Sequence, residues 1–290
     1  MNRDKLLSKV FTDIRAAYSK RDTMLYALGV GAATDPLNAQ ELRWVFEKDL
    51  QALPSLSCVL AHPGGWIMAP ELEVNWVKLL HAEQHFNLLQ PLPAEGEVIG
   101  KYRITGLVDK GAAGGALLYL QKSLHTPAGE LIGTVDSTYF LRGDGGCGSW
   151  GEPGIELPVV PTSAPDGTID LPTLPIAALI YRLSGDYNPL HADPAVAQKA
   201  GFEKPILHGL CTYGVACQSL VRALCDFDAT RLRGMGARFT KPVYPGETIR
   251  TQWWHGANGT VHFRCLSVER NEVVLDRGVA RVAGSTGSTA

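Results

Sequence analysis

The stretch from Tyr181 to Gly209 reads Y-R-L-S-G-D-Y-N-P-L-H-A-D-P-A-V-A-Q-K-A-G-F-E-K-P-I-L-H-G. Ser184-Gly185-Asp186-Tyr187-Asn188-Pro189 is a cluster of turn formers,. Asp193 followed by Pro194 is an N-cap with proline at the first helical position, and Gly201 suits a C′ site,. A short helix is therefore predicted over 194–200, with Asp186 and His191 on the loop before it. A carboxylate and an imidazole five residues apart across a turn can converge on one water, the arrangement general acid–base chemistry needs. The same spacing is equally met if Asp186 caps the turn and His191 bonds a backbone carbonyl. Beyond them, Leu210 to Cys225 is apolar around most of its circumference, which predicts a buried helix,. His208-Gly209 opens that helix, where free N–H groups point outward and a glycine lets a ligand oxygen come close.

Outward from this stretch, the second half repeats the first. Tyr26-Ala27-Leu28 echoes Tyr181-Arg182-Leu183, and Asp35-Pro36-Leu37-Asn38 echoes Asn188-Pro189-Leu190-His191. Pro93-Ala94-Glu95-Gly96-Glu97 echoes Tyr244-Pro245-Gly246-Glu247, in the same order. The Gly- and Pro-rich segment 143–167 reads as the linker, dividing the chain into 1–150 and 151–290. Strands are predicted over 98–108, 117–124 and 131–141, and again over 248–255, 261–269 and 273–282. Asn258-Gly259 marks a tight hairpin between two of them. Sheets that each enclose a helix make an α+β fold. In the first half the matching region, 55–71, carries Pro63, Gly64, Gly65 and Pro70, so its helix is expected to be broken,. At the start, Leu6, Leu7, Val10 and Ile14 follow a helical spacing and predict an N-terminal helix.

Composition narrows the function classes. The 290 residues carry a net charge of -2, so no global basic field recruits nucleic acid,. No apolar run reaches a membrane span, and Met1 to Lys20 lacks the core of a secretory signal. The six cysteines form no C-x-x-C pair, which speaks against a zinc site and suits a reducing cytoplasm. Cys211, Cys217 and Cys225 read as core residues of the buried helix. His81 and His85 flank Glu83 and Gln84 without forming H-E-x-x-H, so a structural or pocket role is expected rather than a metal. His62 is uninformative. The glycine clusters match no phosphate-binding fingerprint. The last residues, from Gly284, read as frayed and end in Ser-Thr-Ala, not a peroxisomal tripeptide,.

The run from Leu183 to Ala197, with Pro205-Ile206-Leu207-His208-Gly209, resembles the hydratase 2 motif of the MaoC-like family. Tyr26 to Gly31 and Leu80 to Gln84 resemble that family's degenerate N-terminal repeat. The resemblance implies a double hot-dog fold, each repeat an antiparallel sheet around a central helix. It implies reversible hydration of trans-2-enoyl-CoA to (R)-3-hydroxyacyl-CoA, with no cofactor beyond the coenzyme A of the substrate. The family's catalytic aspartate and histidine fall on Asp186 and His191. Its water-holding asparagine falls on Asn188, and the glycine whose N–H contacts the thioester oxygen on Gly209. Asn38 stands where the second half has His191, so one working site per chain is expected. Lys204, Arg238 and Lys241 are candidate contacts for coenzyme A phosphates; Trp66, Met68 and His81 are candidate acyl-pocket residues. The expected partners are an acyl-CoA and a second copy in a homodimer. A hot-dog thioesterase, a dehydratase acting on carrier-protein thioesters and a non-enzymatic acyl-binding module are the alternatives.

Overall fold

The computed structural model describes residues 1–35 and 37–284. Pro36 and most of the terminal segment read as frayed lie outside the described residues. The first half contains α1 (Arg3–Leu7), β1 (Ile14–Tyr18), α2 (Lys20–Gly29) and α3 (Leu42–Val45). Its sheet continues with β2 (Leu79–Leu88), β3 (Gly96–Asp109), β4 (Ala116–His125), β5 (Leu131–Leu141) and the two-residue β6 (Trp150–Gly151). The second half contains β7 (Gly167–Pro172), α4 (Ala177–Tyr181), α5 (Pro194–Lys199) and α6 (Gly209–Leu224). It ends with β8 (Leu232–Phe239), β9 (Thr248–His255), β10 (Thr260–Ser267) and β11 (Glu272–Val282).

All paired strands are antiparallel and join into one sheet, in the order β1-β3-β4-β5-β2-β8-β11-β10-β9-β7. Read from the centre, each half has the same sequence of strands. The halves meet where β2 pairs with β8, from Glu83 opposite Arg238 to Asn87 opposite Gly234. The architecture is the expected double hot-dog. Its turns follow from local chemistry: Asn258 and Gly259 both take positive φ, 54° and 73°, which a two-residue hairpin requires and these residue types tolerate,.

The two echoing tyrosines lie at the seam between the halves. Tyr26 on α2 and Tyr181 on α4 are both buried, with ring centroids 5.9 Å apart. The wrapped helix α6 is buried from Cys211 to Val221, and the Tyr213 O–H donates to Met235 O on β8. Its place in the first half is taken by single 3-10 turns at Pro54–Cys58, Trp66–Met68 and Pro70–Leu72, as the prolines and glycines predict.

Two expectations change, and a stretch with no predicted element proves to be a strand. The N-terminal helix ends at Leu7; Val10 is exposed and Ile14 starts β1, an edge strand paired with β3. The stretch containing His81 and His85 is a strand, β2, with a register shift between His81 and Glu83. The linker is packed: Leu157 and Val160 are buried, and Trp254 Nε1 donates to Ser163 O at 3.0 Å. The polar loop and α5 lie as the turn chemistry predicts, with the Asp193 side chain accepting from Ala195 N.

Candidate active site

The loop between α4 and α5 is shaped by its own side chains. Asp186 Oδ1 accepts from Asn188 N at 3.1 Å, and Asn188 Oδ1 accepts from Leu190 N at 3.0 Å. These two turns lead into a 3-10 turn, Pro189–His191, that carries the His191 ring inward. Both plain structural readings of the pair therefore hold: Asp186 caps a turn and His191 bonds a carbonyl. Neither uses up the chemistry. Asp186 has a second carboxylate oxygen and stands exposed. His191 Nδ1 lies 2.8 Å from Ile206 O, and since a carbonyl only accepts, Nδ1 carries the hydrogen,. Nε2 is then left unprotonated in the neutral ring, available to take a proton. Burial lowers the pKa of His191 below its ordinary value, against smaller upward effects from the Ile206 carbonyl and Asp186.

The second element is the N-terminus of α6. His208 is its N-cap and makes no side-chain cap bond. The first N–H groups of a helix have no intrahelical acceptor, and the dipole favours negative charge there. Gly209 carries the first of them. A Cβ at Gly209 would stand 3.3 Å from the Phe239 ring, so the helix start sits close against β8.

His208 links the two elements. Its Nε2 lies 3.1 Å from the backbone oxygen of Asp186, and its ring stacks on His191 with centroids 3.8 Å apart. Burial first, and then His191, lower its pKa to about 4, so it stays neutral and donates to Asp186 O. One ligand-type atom each of Asp186, His191 and His208 lies within 4.8 Å of the others. The histidine rings are stacked, 28° from parallel, and one nitrogen of each is engaged with a backbone carbonyl: His191 Nδ1 with Ile206 O and His208 Nε2 with Asp186 O.

These groups open onto a pocket of about 560 Å³ that runs from the second half to the broken-helix region of the first. Asp186, Asn188, His191 and Gly209 line one part of it; Trp66, Met68 and His81 line another. His81 packs against the tilted rings of Tyr139 and Phe239, with centroids 5.3 and 4.9 Å away, and burial lowers its pKa to about 4. Of the three candidate phosphate contacts, only Lys241 borders this pocket. Arg238 does not border it and is ion-paired to Glu83, while the Lys204 ammonium lies over the Tyr244 ring at 5.3 Å. Strand alternation explains Arg238: its neighbour Phe239 takes the pocket side. The sequence reading missed His62, Lys122 and Tyr139, which all border the pocket. Lys122 had a legible signal: a lysine among the leucines of a predicted strand.

Residues 158–277 match the family model described as a MaoC like domain, and residues 17–143 the one described as the MFE-2 hydratase 2 N-terminal domain. An enoyl-CoA hydratase of Mycobacterium tuberculosis is 38% identical over 277 residues, covering 94% of this chain and 96% of that protein. A peroxisomal enoyl-CoA hydratase 2 of Arabidopsis thaliana is 36% identical over 292 residues, covering 94% and 93%. The crystal structure of a MaoC-like dehydratase from Phytophthora capsici aligns with a TM-score of 0.86 and 33% identity, over 97% of this chain and 99% of that one.

Proposed function

The chain belongs to the MaoC-like hydratase 2 family, and from that premise we propose that it adds water reversibly to trans-2-enoyl-CoA, giving (R)-3-hydroxyacyl-CoA. One observation carries this reading. A carboxylate and an imidazole with a free ring nitrogen face the same pocket as an uncapped helix N-terminus.

In the hydration direction Asp186 and the water-facing Nε2 of His191 hold one water between them. Asp186 polarises it, and its oxygen bonds to the β-carbon as an O–H bond breaks toward His191. The π electrons move to the thioester oxygen, forming an enolate. Gly209 N–H donates to that oxygen, worth roughly 2.7–4 kcal/mol for a typical oxyanion-hole donor. His191 then returns the proton to the α-carbon, so atoms balance and both groups regain their starting states. The neutral resting state of His191, favoured by its burial, is the one that can accept the first proton.

The division of labour follows the two segments. Residues 151–290 hold the reacting groups, and residues 1–150 supply Trp66, Met68 and His81 to the acyl side of the pocket. Each buried methylene of the acyl chain adds about 0.8 kcal/mol, so medium-length chains are favoured over crotonyl. Lys241, which borders the pocket, is the proposed contact for the coenzyme A phosphates. No cofactor beyond the substrate's own coenzyme A takes part, and the working assembly is a homodimer. The described cysteines are all unpaired, which suits the cytoplasm,; no described helix is long and apolar enough to cross a membrane.

The test is the absorbance decay of crotonyl-CoA and longer enoyl-CoA thioesters, with chiral analysis of the product. The reading expects the (R)-3-hydroxy product and efficiency rising beyond four carbons. Release of free coenzyme A without hydration, or an (S) product, overturns it.

A further inference from the structure

Lys122 lies on the inward face of β4, opposite Tyr102 on β3 and Val135 on β5, and is 2% exposed. A buried ammonium costs several kcal/mol unless its hydrogen bonds are satisfied. No carboxylate pairs with it among the described ion pairs. Instead Nζ donates to three backbone carbonyls: Ser57 at 2.7 Å, Leu60 at 2.7 Å and Cys58 at 3.2 Å. The Tyr102 ring lies 5.8 Å from the ammonium, and the Tyr102 O–H donates to the next carbonyl, Ala61, at 2.9 Å.

Those carbonyls end the broken helix of the first half. In a continuing α-helix, the oxygens of residues 57, 58 and 60 would accept from the N–H groups of residues 61, 62 and 64. Here Lys122 takes all three. The chain then turns at Ala61, φ 51°, and Gly64 N donates to His62 Nδ1. The segment released in this way, His62 to Met68, borders the pocket that also contains Lys122 and Gly209. The matching wall of the second half differs: the inward residues of β10, Phe263, Cys265 and Ser267, carry no charge, and α6 runs unbroken. Burial lowers the Lys122 pKa to about 8, which leaves the ammonium form predominant near neutrality.

We propose that Lys122 is a specificity-determining residue: by holding the carbonyls of Ser57, Cys58 and Leu60 it stops the first-half helix and keeps the acyl pocket open to longer chains. The proposal rests on the hydratase reading above. It gives the proline- and glycine-rich segment a fixed shape rather than a merely broken one.

The experiment compares kcat/KM for enoyl-CoA of ten and of four carbons in wild type, Lys122→Met and Lys122→Arg. The ten-to-four ratio is expected to fall by roughly tenfold or more in Lys122→Met, the burial of about two methylenes. Lys122→Arg, which keeps a cation with several donors, is expected to restore most of the ratio. An unchanged ratio in Lys122→Met overturns the proposal, even if overall stability drops. If that variant does not fold, Lys122→Gln decides: its amide keeps only two N–H donors for the three carbonyls, and a partial fall in the ratio supports the proposal while none overturns it. Amide hydrogen exchange over residues 57–65 in whichever variant folds gives a readout independent of turnover. Faster exchange supports the hold, and unaltered exchange overturns it. If wild type hydrates neither thioester, the functional reading fails on its own, and the exchange result still decides whether Lys122 holds the segment.

Discussion

The loop around Asn38 and the loop around His191 are the same turn put to different uses. In the second half Asn188 Oδ1 accepts from Leu190 N; in the first, Asp35 Oδ1 accepts from Leu37 N at 3.0 Å. The local geometry is shared and the tips diverge. His191 projects toward an exposed carboxylate and a pocket. Asn38 Nδ2 instead donates to Glu41 Oε1 at 2.8 Å, and Glu41 Oε2 accepts from Ala33 N and from Arg222 of α6, at 2.6 and 2.7 Å. Glu41 is 1% exposed, so this cluster is a closed, satisfied knot that ties the first half to the central helix of the second. In the first loop the turn serves packing between the halves. On the proposed function, the acid–base pair stands in the second loop alone.

That contrast can be broken from either side. The largest effect is expected at His191. His191→Ala should slow hydration by roughly 100- to 10,000-fold, the usual contribution of one acid–base group. Steady-state kinetics on the purified variant read it directly, and near-wild-type turnover would mean that the second loop is no more chemical than the first. On the structural side, Glu41→Ala leaves the Arg222 guanidinium buried without its partner. Breaking a buried pair costs about 3–5 kcal/mol, read as a lower urea midpoint. A loss no larger than that of a surface substitution would show the knot to be incidental.

Acid should separate the loops as well. Burial holds the folded-state pKa values of His191 and His208 below the ordinary value near 6.5, that of His208 at about 4. The unfolded chain therefore binds these protons first. The stability is present above pH 6.5 and is lost as pH falls toward 4. Unfolding free energies from urea titrations at pH 5 and pH 7 should differ by on the order of 2 kcal/mol for a group shifted this far. The hydration rate should meanwhile persist below pH 6.5, because His191 stays neutral further into acid. A rate that halves near pH 7 would contradict the buried, neutral histidine. The smallest effect is expected from Asn38→His, which gains an imidazole but no aspartate, since Ala33 stands at the position matching Asp186. Activity per chain should change by less than about twofold; a doubling would mean that the first loop also faces a usable site.

How much of this was legible depended on what each element had to say locally. The meander strands were, because β-branched and aromatic residues alternate between turn formers; the predicted 131–141 and 248–255 coincide with β5 and β9. The buried helix α6 and the capped α5 were legible for the same reason. The two central strands were not. β2 carries two histidines, Glu83, Gln84 and Asn87, and its register shift breaks the alternation. β8, L-R-G-M-G-A-R-F, carries two glycines and is buried by what packs around it rather than by its own pattern. The pairing that joins the halves is thus the least readable part of the fold. At the site, Asp186, Asn188, His191 and Gly209 could be named because a motif holds them in one stretch. Lys122 and His62 reach the pocket from distant segments, and no spacing relates them to the motif. That Arg238 faces Glu83 rather than the pocket was not legible, because a charge in a strand shows its sign in sequence but not its face.

The claim that the second loop alone carries the chemistry is tested most directly by Asp186→Asn. Asparagine keeps an oxygen that can accept from Asn188 N, so the turn and the His208 contact to the backbone are retained while the carboxylate charge is removed. Measured with trans-2-enoyl-CoA at pH 7, the variant should lose at least about 100-fold in kcat, with thermal stability close to wild type. A variant that folds as well and hydrates as fast as the wild type would contradict the assignment of the site to this loop.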